Sequence, residues 1–257
     1  MCDTGGYRSF AEFYDRLTSN VDYAEQAQFI MSLFMRHGEK HPDTLLDLAC
    51  GSGSLSLEFA KRGVDMIGVD ASAEMLIMAR EKAAALDSGL LFLQQDMREL
   101  DLYGTVDGAV CTLDSINHLC ETQDVAEVFR RLSLFVGPRG LFIFDVNTAY
   151  KHKNVLSDNA FVFEKDDFVC TWQNHFMERR CEVDMQLDFF VNNGDSYDRL
   201  TDYVRERAYS ERTLRRLLQD ASFEVVAVYD DYSDNLPTPQ TERLVFVTRS
   251  TRDFSDT

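Results

Sequence analysis

Leu45-Leu46-Asp47-Leu48-Ala49-Cys50-Gly51-Ser52-Gly53-Ser54-Leu55 reads as a buried strand running into a glycine turn, then a helix carrying Leu55, Phe59 and Ala60. Glycines at such a turn let the backbone pass close to a ligand. A dinucleotide fingerprint G-x-G-x-x-G would need a third glycine where Ser56 stands, and Asp47 already puts a carboxylate inside the strand. The turn therefore departs from a pyrophosphate loop. A carboxylate at that strand end suits a cationic amino group instead.

Outward from this stretch, short apolar runs alternate with helical patterns. Strands are expected at Leu45 to Leu48, Met66 to Val69, Leu90 to Leu93, Val106 to Cys111 and Leu141 to Phe144, spaced as in a parallel sheet with helical crossovers. Ser72 is placed to cap a helix through Met75, Ala79, Lys82 or Ala83, and Leu86, and Val125, Val128, Phe129, Leu132 and Phe135 mark another that Gly137-Pro138 stops. Upstream, Tyr14, Leu17, Ala24, Ala27, Ile30, Met31, Phe34 and Met35 give helical stripes broken near Ser19-Asn20.

After Asn147 the period becomes two. Val183, Met185, Leu187, Phe189 and Val191 alternate with polar residues and Asn193-Gly194 is a hairpin signal, so an antiparallel ribbon is expected from about Phe161 to Ala208. Ser210 then caps a helix with Leu214, Leu217, Leu218 and Ala221, followed by strands at Val225 to Tyr229 and Leu244 to Thr248. The fold class is α/β and Rossmann-like: an α/β core over residues 1–150 and 209–257 with an N-terminal helical lid, and an inserted antiparallel ribbon over 151–208. The polar connection Asp230 to Gln240 is either a flap or a plain surface loop.

Three carboxylates fall at successive strand ends. Asp70 ends the second strand, where it can accept two bonds from ribose hydroxyls, and Asp96 follows the third, where it can accept from an adenine amine beside the apolar Met75 and Met97. With the glycine turn, the pattern resembles that of the class I S-adenosylmethionine-dependent methyltransferases over Thr44 to Asp145. The run Tyr7 to Asp15, the segment Leu113-Asp114-Ser115-Ile116-Asn117-His118-Leu119 and the late antiparallel insertion resemble the narrower group that includes amino-sugar N-methyltransferases. That resemblance implies S-adenosylmethionine as methyl donor and S-adenosylhomocysteine as product. It implies a cofactor site of Tyr14, Asp47, Ala49, Cys50, Gly51, Gly53, Asp70, Ala71, Met75, Gln95, Asp96, Met97 and Leu113. Ala49 and Gly51 would line the methionine moiety, with Tyr14 covering the cofactor. The family often has glycine where Ala49 and Ser54 stand.

Methyl transfer from a sulfonium is an in-line displacement, so alignment and exclusion of water matter most, and a base helps when the acceptor carries a proton. His118, just after the fourth strand, is the candidate base, and Tyr14 the candidate group for orienting the acceptor. Asp145 and Asn147 stand at the fifth strand's end, either against substrate or capping the next turn. His152 and His175, lacking partner spacing, read as core or surface residues, and no metal is expected.

Composition narrows the partners. The 257 residues carry 44 Asp plus Glu against 26 Lys plus Arg, a formal charge of −18, which disfavours nucleic acid. Six cysteines without C-x-x-C spacing indicate neither zinc nor a disulfide framework. With no long apolar run and no basic, apolar start, a soluble cytoplasmic protein without membrane attachment is expected. The expected acceptor is a small molecule bearing an amine or hydroxyl. The alternatives are an enzyme acting on RNA or protein and a non-catalytic cofactor-binding scaffold, and the ribbon edges could also pair in a homodimer.

Overall fold

The computed structural model describes residues 13–86 and 89–253; the run Tyr7 to Glu12 lies outside them. The sheet built from the opening stretch has seven strands: β1 (Thr44–Leu48), β2 (Asp65–Asp70), β3 (Leu91–Gln94), β4 (Val106–Cys111), β5 (Val136–Asn147), β10 (Phe223–Asp230) and β11 (Arg243–Ser250). Their order is β10-β11-β5-β4-β1-β2-β3. The first five run parallel, and β11 is antiparallel to both β5 and β10.

Continuous apolar runs form these strands because both faces are covered. Leu46, Leu48, Ala109, Phe142, Phe144 and Phe246 pack against α5 (Thr122–Phe135) and α7 (Glu211–Asp220). Alternate residues, Leu45, Val110, Ile143, Val245 and Val247, pack on the other face against α2 (Tyr23–His37) and α3 (Ser54–Ala60). On α4 (Ala73–Ala85), Leu76, Ala79 and Ala83 close over Phe92. Ser72 and Ser210 cap their helices, accepting from the Met75 and Thr213 amides at 3.2 and 3.1 Å.

The lone helical turn α1 (residues 13–17) and α2 are separated at 18–22, as the Ser19-Asn20 break suggests. Met35, expected on the apolar stripe, is 58% exposed, because the buried side of α2 runs through Ala27, Ile30, Met31 and Phe34. Strand β5 begins directly after α5, so Gly137-Pro138 stops the helix and opens a strand longer than Leu141 to Phe144, with an irregular register beside Val106/Gly108.

The ribbon is a separate sheet, β6 (Ala160–Glu164), β7 (Phe168–Met177), β8 (Glu182–Asn192) and β9 (Tyr197–Arg207), all antiparallel. Gly194 takes φ 102° in the β8–β9 turn, a conformation open to glycine at no steric cost. Phe168, Cys170, Val183, Met185, Leu187 and Phe189 form its buried face, and Phe13 of α1 stacks into it at 4.8 Å from both Phe168 and Phe189. Between β5 and β6 a short helix, α6 (Ala149–Lys151), continues into a wide turn over His152–Leu156. Among the described residues no helix is long and apolar enough to cross a membrane.

Candidate functional site

A cavity of about 1290 Å³ opens where the C-terminal ends of the parallel strands meet α1 and the ribbon, the position expected for a ligand in an open α/β sheet. Of the residues singled out in the sequence, Tyr14, Ala49, Gly51, Asp70, Ala71, Met75, Gln95, Met97, Leu113 and His118 line it. Asp47, Cys50, Gly53 and Asp96 do not. None of the connection 230–240 lines it either; Tyr232 instead donates its hydroxyl to Asp145.

The glycine turn forms one wall. Gly51 takes φ 53°, and a Cβ built there would find only the Tyr14 ring, at 3.8 Å: the space beside the backbone is the cavity itself, a cradle that a side chain would fill. Gly53, at φ 73°, faces the other way, its absent Cβ within 2.9 Å of Ala79 and 3.1 Å of Phe92. Asp47 lies beneath the turn, 2% exposed, and accepts from the Ser56 hydroxyl at 2.5 Å. Burial pushes its carboxyl up to about 7. A group so placed supports the turn from below.

Asp70 stands at the cavity's edge. Its Oδ2 accepts from the Gly51 amide and its Oδ1 from the Ser72 amide, each at 2.8 Å, leaving a second lone pair on each oxygen for paired hydroxyls. Burial raises its titration, offset by the Ser72, Gly51 and Ala71 amides. Asp96 is differently used: the Arg98 guanidinium grips its two oxygens at 3.0 and 2.6 Å and holds it below the usual carboxylate range. Gln95, Met75 and Met97 reach the cavity beside it, as do Gln94 and the stretch Ala71 to Glu74.

Helix α1 is latched over this end. Lys82 Nζ reaches Asp15 at 2.6 Å and the hydroxyls of Ser52 and Ser54 at 2.8 Å, while Ser52 donates to Asp15 at 2.5 Å. Asp15 thereby fastens α1 to the glycine turn, and Phe13, with Arg16 paired to Asp167, fastens it to the ribbon. Tyr14 lies between the two attachments. Spacing along the chain gave no sign of these partners.

Opposite lies a polar wall. Leu113 and Asp114 both take φ 54°, and their consecutive amides donate to the two oxygens of buried Asp145 at 2.8 and 2.6 Å, so Asp145 holds the loop after β4, while Thr148 caps the turn that follows Asp145's own strand. Arg243 bridges Asp145 and Asp114 at 2.5 and 2.7 Å. Burial opposes ionisation of Asp114, but Arg243, with Lys151 and His118 behind it, holds its carboxyl well below the usual range.

Asp114, His118 and the buried Glu206 offer acceptor atoms all within 4.8 Å of one another, the group that the sequence alone could not assemble. Glu206 comes from β9 and Arg243 from β11, 92 and 129 residues beyond Asp114, so neither was recognised in the sequence. With Arg243 already neutralising Asp114, the trio suits the N–H donors of a cationic amine better than a divalent ion: acceptors about 2.8 Å from an ammonium nitrogen sit within about 4.6 Å of each other.

A glycine turn beside a carboxylate at the end of β2, with a polar wall across the cavity, is the arrangement expected of a class I S-adenosylmethionine-dependent methyltransferase. Residues 45–140 match the family model described as a methyltransferase domain. The chain is 34% identical over 241 residues to YqeM of Bacillus subtilis (strain 168), named as a methyltransferase, covering 93% of this chain and 95% of that one. The crystal structure of an S-adenosylmethionine-dependent methyltransferase from Clostridium acetobutylicum ATCC 824 superposes with TM-score 0.86 at 30% identity, over 96% of this chain and 99% of that one. CalS10 of Micromonospora echinaspora, an amino pentose methyltransferase, shares the fold at TM-score 0.74 and 16% identity, over 93% and 96% of the two chains. The chain belongs to the S-adenosylmethionine-dependent methyltransferases.

Proposed function

We propose that this methyltransferase acts on an amine nitrogen of a small molecule. The observation that carries the reading is the trio Asp114, His118 and Glu206 in the same cavity as Asp70. A hydroxyl offers one proton to such a wall, whereas a primary ammonium offers three. The cofactor supplies an electrophilic methyl on a sulfonium. Asp70 holds the ribose hydroxyls, and Gly51, Ala49 and Leu113 flank the methionine moiety. The adenine end falls to Ala71, Met75, Met97 and Gln95, because Asp96 is committed to Arg98. Asp47, Cys50 and Gly53 act from beneath the turn. Tyr14, fixed by the α1 latch, excludes water and faces the acceptor, and His118 orients the amine.

The two amino-sugar and amino-acid chemistries accessible to such a pocket can be compared by matched pairs. S-adenosylhomocysteine release is measured with glycine against glycolate and with 3-amino-3-deoxyglucose against glucose. Turnover confined to amines, reduced about 100-fold by Asp114→Asn, a loss of about 2.7 kcal/mol of transition-state stabilisation, supports the reading. Equal turnover with the hydroxyl partner, or with tRNA at physiological salt, refutes it, and cofactor binding without turnover favours the scaffold alternative.

A further inference from the structure

Resting on that amine reading, we propose that the buried pair Glu206–His152 is the proton acceptor of the site, with His152 acting through Glu206 as a positioning residue. His152 has no exposed surface. Its Nδ1 lies 3.2 Å from the Cys181 carbonyl and its Nε2 lies 3.3 Å from Glu206 Oε2, which also accepts from Asn147 Nδ2 at 2.9 Å. The ring sits at the head of the wide turn closed by the Ser157 amide on the His152 carbonyl at 2.7 Å, a five-residue closure of the kind that recurs at functional sites.

The proton count follows from these partners. A carbonyl only accepts, so Nδ1 carries a hydrogen. Neutral His152 then turns a bare Nε2 lone pair toward a carboxylate oxygen, an arrangement that gains a hydrogen bond when one proton is added between them. Glu206 borders the cavity, and its bonds to Asn147 and His152 both end on Oε2, so Oε1 is the oxygen available to the acceptor. Asp114 cannot take this part, since Arg243 keeps it ionised.

The acceptor enters as R–NH3⁺. One N–H proton passes to Glu206 Oε1, and a half-turn of the carboxyl about Cγ–Cδ delivers it to Nε2. The freed nitrogen lone pair forms the C–N bond while the S–CH3 bond breaks, its electron pair remaining on sulfur. The charged and titratable groups around the pair are Asp114 and His118 from the loop after β4, Lys151 through Asn147, Asp184 and Glu182 on β8, Arg205 and Arg207 on β9, and Arg243 on β11.

Two measurements test the pair. Nitrogen-15 spectra of imidazole-labelled protein with S-adenosylhomocysteine, assigned with His152→Gln, are expected to show the Nδ1–H tautomer in neutral His152. An Nε2–H tautomer overturns the proposal. With the amine found in the matched-pair screen, Glu206→Gln and His152→Gln are each expected to lower kcat at least tenfold, to remove the same acid limb of the kcat/KM profile, and to leave the KM for S-adenosylmethionine within twofold. The double variant should be no slower than Glu206→Gln alone. A His152→Gln enzyme with the wild-type limb and rate, or losses that multiply in the double variant, overturns it. If His152→Gln does not fold, a wild-type limb in Glu206→Gln is decisive against the pair. If no amine is methylated, the substrate reading fails while the tautomer spectrum still decides the pair.

Discussion

Asp47→Asn should stabilise the folded chain at pH 8 while leaving it almost unchanged near pH 4. The Asp47 carboxyl is 2% exposed, and burial, reinforced by the field of Asp70 and opposed by the Ser56 hydroxyl, pushes it up to about 7. In the unfolded chain it titrates near about 3.9. The folded state therefore binds this proton more tightly. Stability contributed by the protonated group is present at about pH 4, falls as the unfolded carboxyl ionises, and is lost by about pH 7. A separation of about three units corresponds to at most about 4 kcal/mol, at about 1.4 kcal/mol per unit. Asn preserves an acceptor for Ser56 Oγ but cannot ionise, so about 2 kcal/mol or more should be recovered above pH 7. For a domain of this size that is about 4 to 8 °C in melting temperature. Urea or thermal unfolding of both proteins at pH 4.5, 6 and 8 reads the difference, which cancels the titration of every other group. A variant no more stable than wild type at pH 8, or a gain independent of pH, refutes the reasoning. So would a large loss of S-adenosylmethionine affinity in the variant, which would mean that Asp47 meets the cofactor's cation directly.

The other expectations concern the donor end. Calorimetric titration with S-adenosylmethionine should show Asp70→Ala weakened about 100-fold, about 3 kcal/mol, since two hydroxyl bonds and the Gly51 and Ser72 supports go together; a change under threefold sinks the ribose assignment. Asp15→Asn should raise the cofactor Kd three- to tenfold with little change in melting temperature, because its bridge to Lys82 is partly solvated and worth little to global stability. Unchanged affinity would mean that α1 does not latch the site.

What the sequence revealed and what it hid divide along physical lines. The buried strands, the Ser72 and Ser210 caps, the Gly194 turn and Asp70 all rest on local rules: apolar runs, side chains that bond the backbone three residues on, and a carboxylate where a parallel strand ends. The polar wall obeys no local rule. Glu206 stands between Arg205 and Arg207 in a charged stretch that reads as solvent, and it is buried because its register places it opposite Val183 on the ribbon's inward face. His152 was read as a core or surface residue for want of a partner, and its partner lies 54 residues ahead. Asp96 carries a further contact that spacing alone does not announce: the Arg98 guanidinium, two residues on, bridges its two oxygens.

The chain's acidity acquires a role once both ends of the cavity are considered. A sulfonium donor and an ammonium acceptor repel, and a site that joins them needs negative groups on both sides without the cost of burying uncompensated charge. Asp70 is served by backbone amides, Asp114 by Arg243, and Glu206 by Asn147 and His152. Of the two carboxylates on the acceptor wall, only Glu206 can change its proton content without breaking an ion pair to an arginine. On the amine reading, Asp114, held ionised by Arg243, supplies a fixed hydrogen-bond acceptor for the amine, and the surrounding field of −18 supplies the attraction at long range. Glu206 supplies the place where the amine's proton goes. The two tasks require different electrostatic surroundings, and the fold provides them by bringing an arginine from β11 to one carboxylate and a histidine from the turn after α6 to the other.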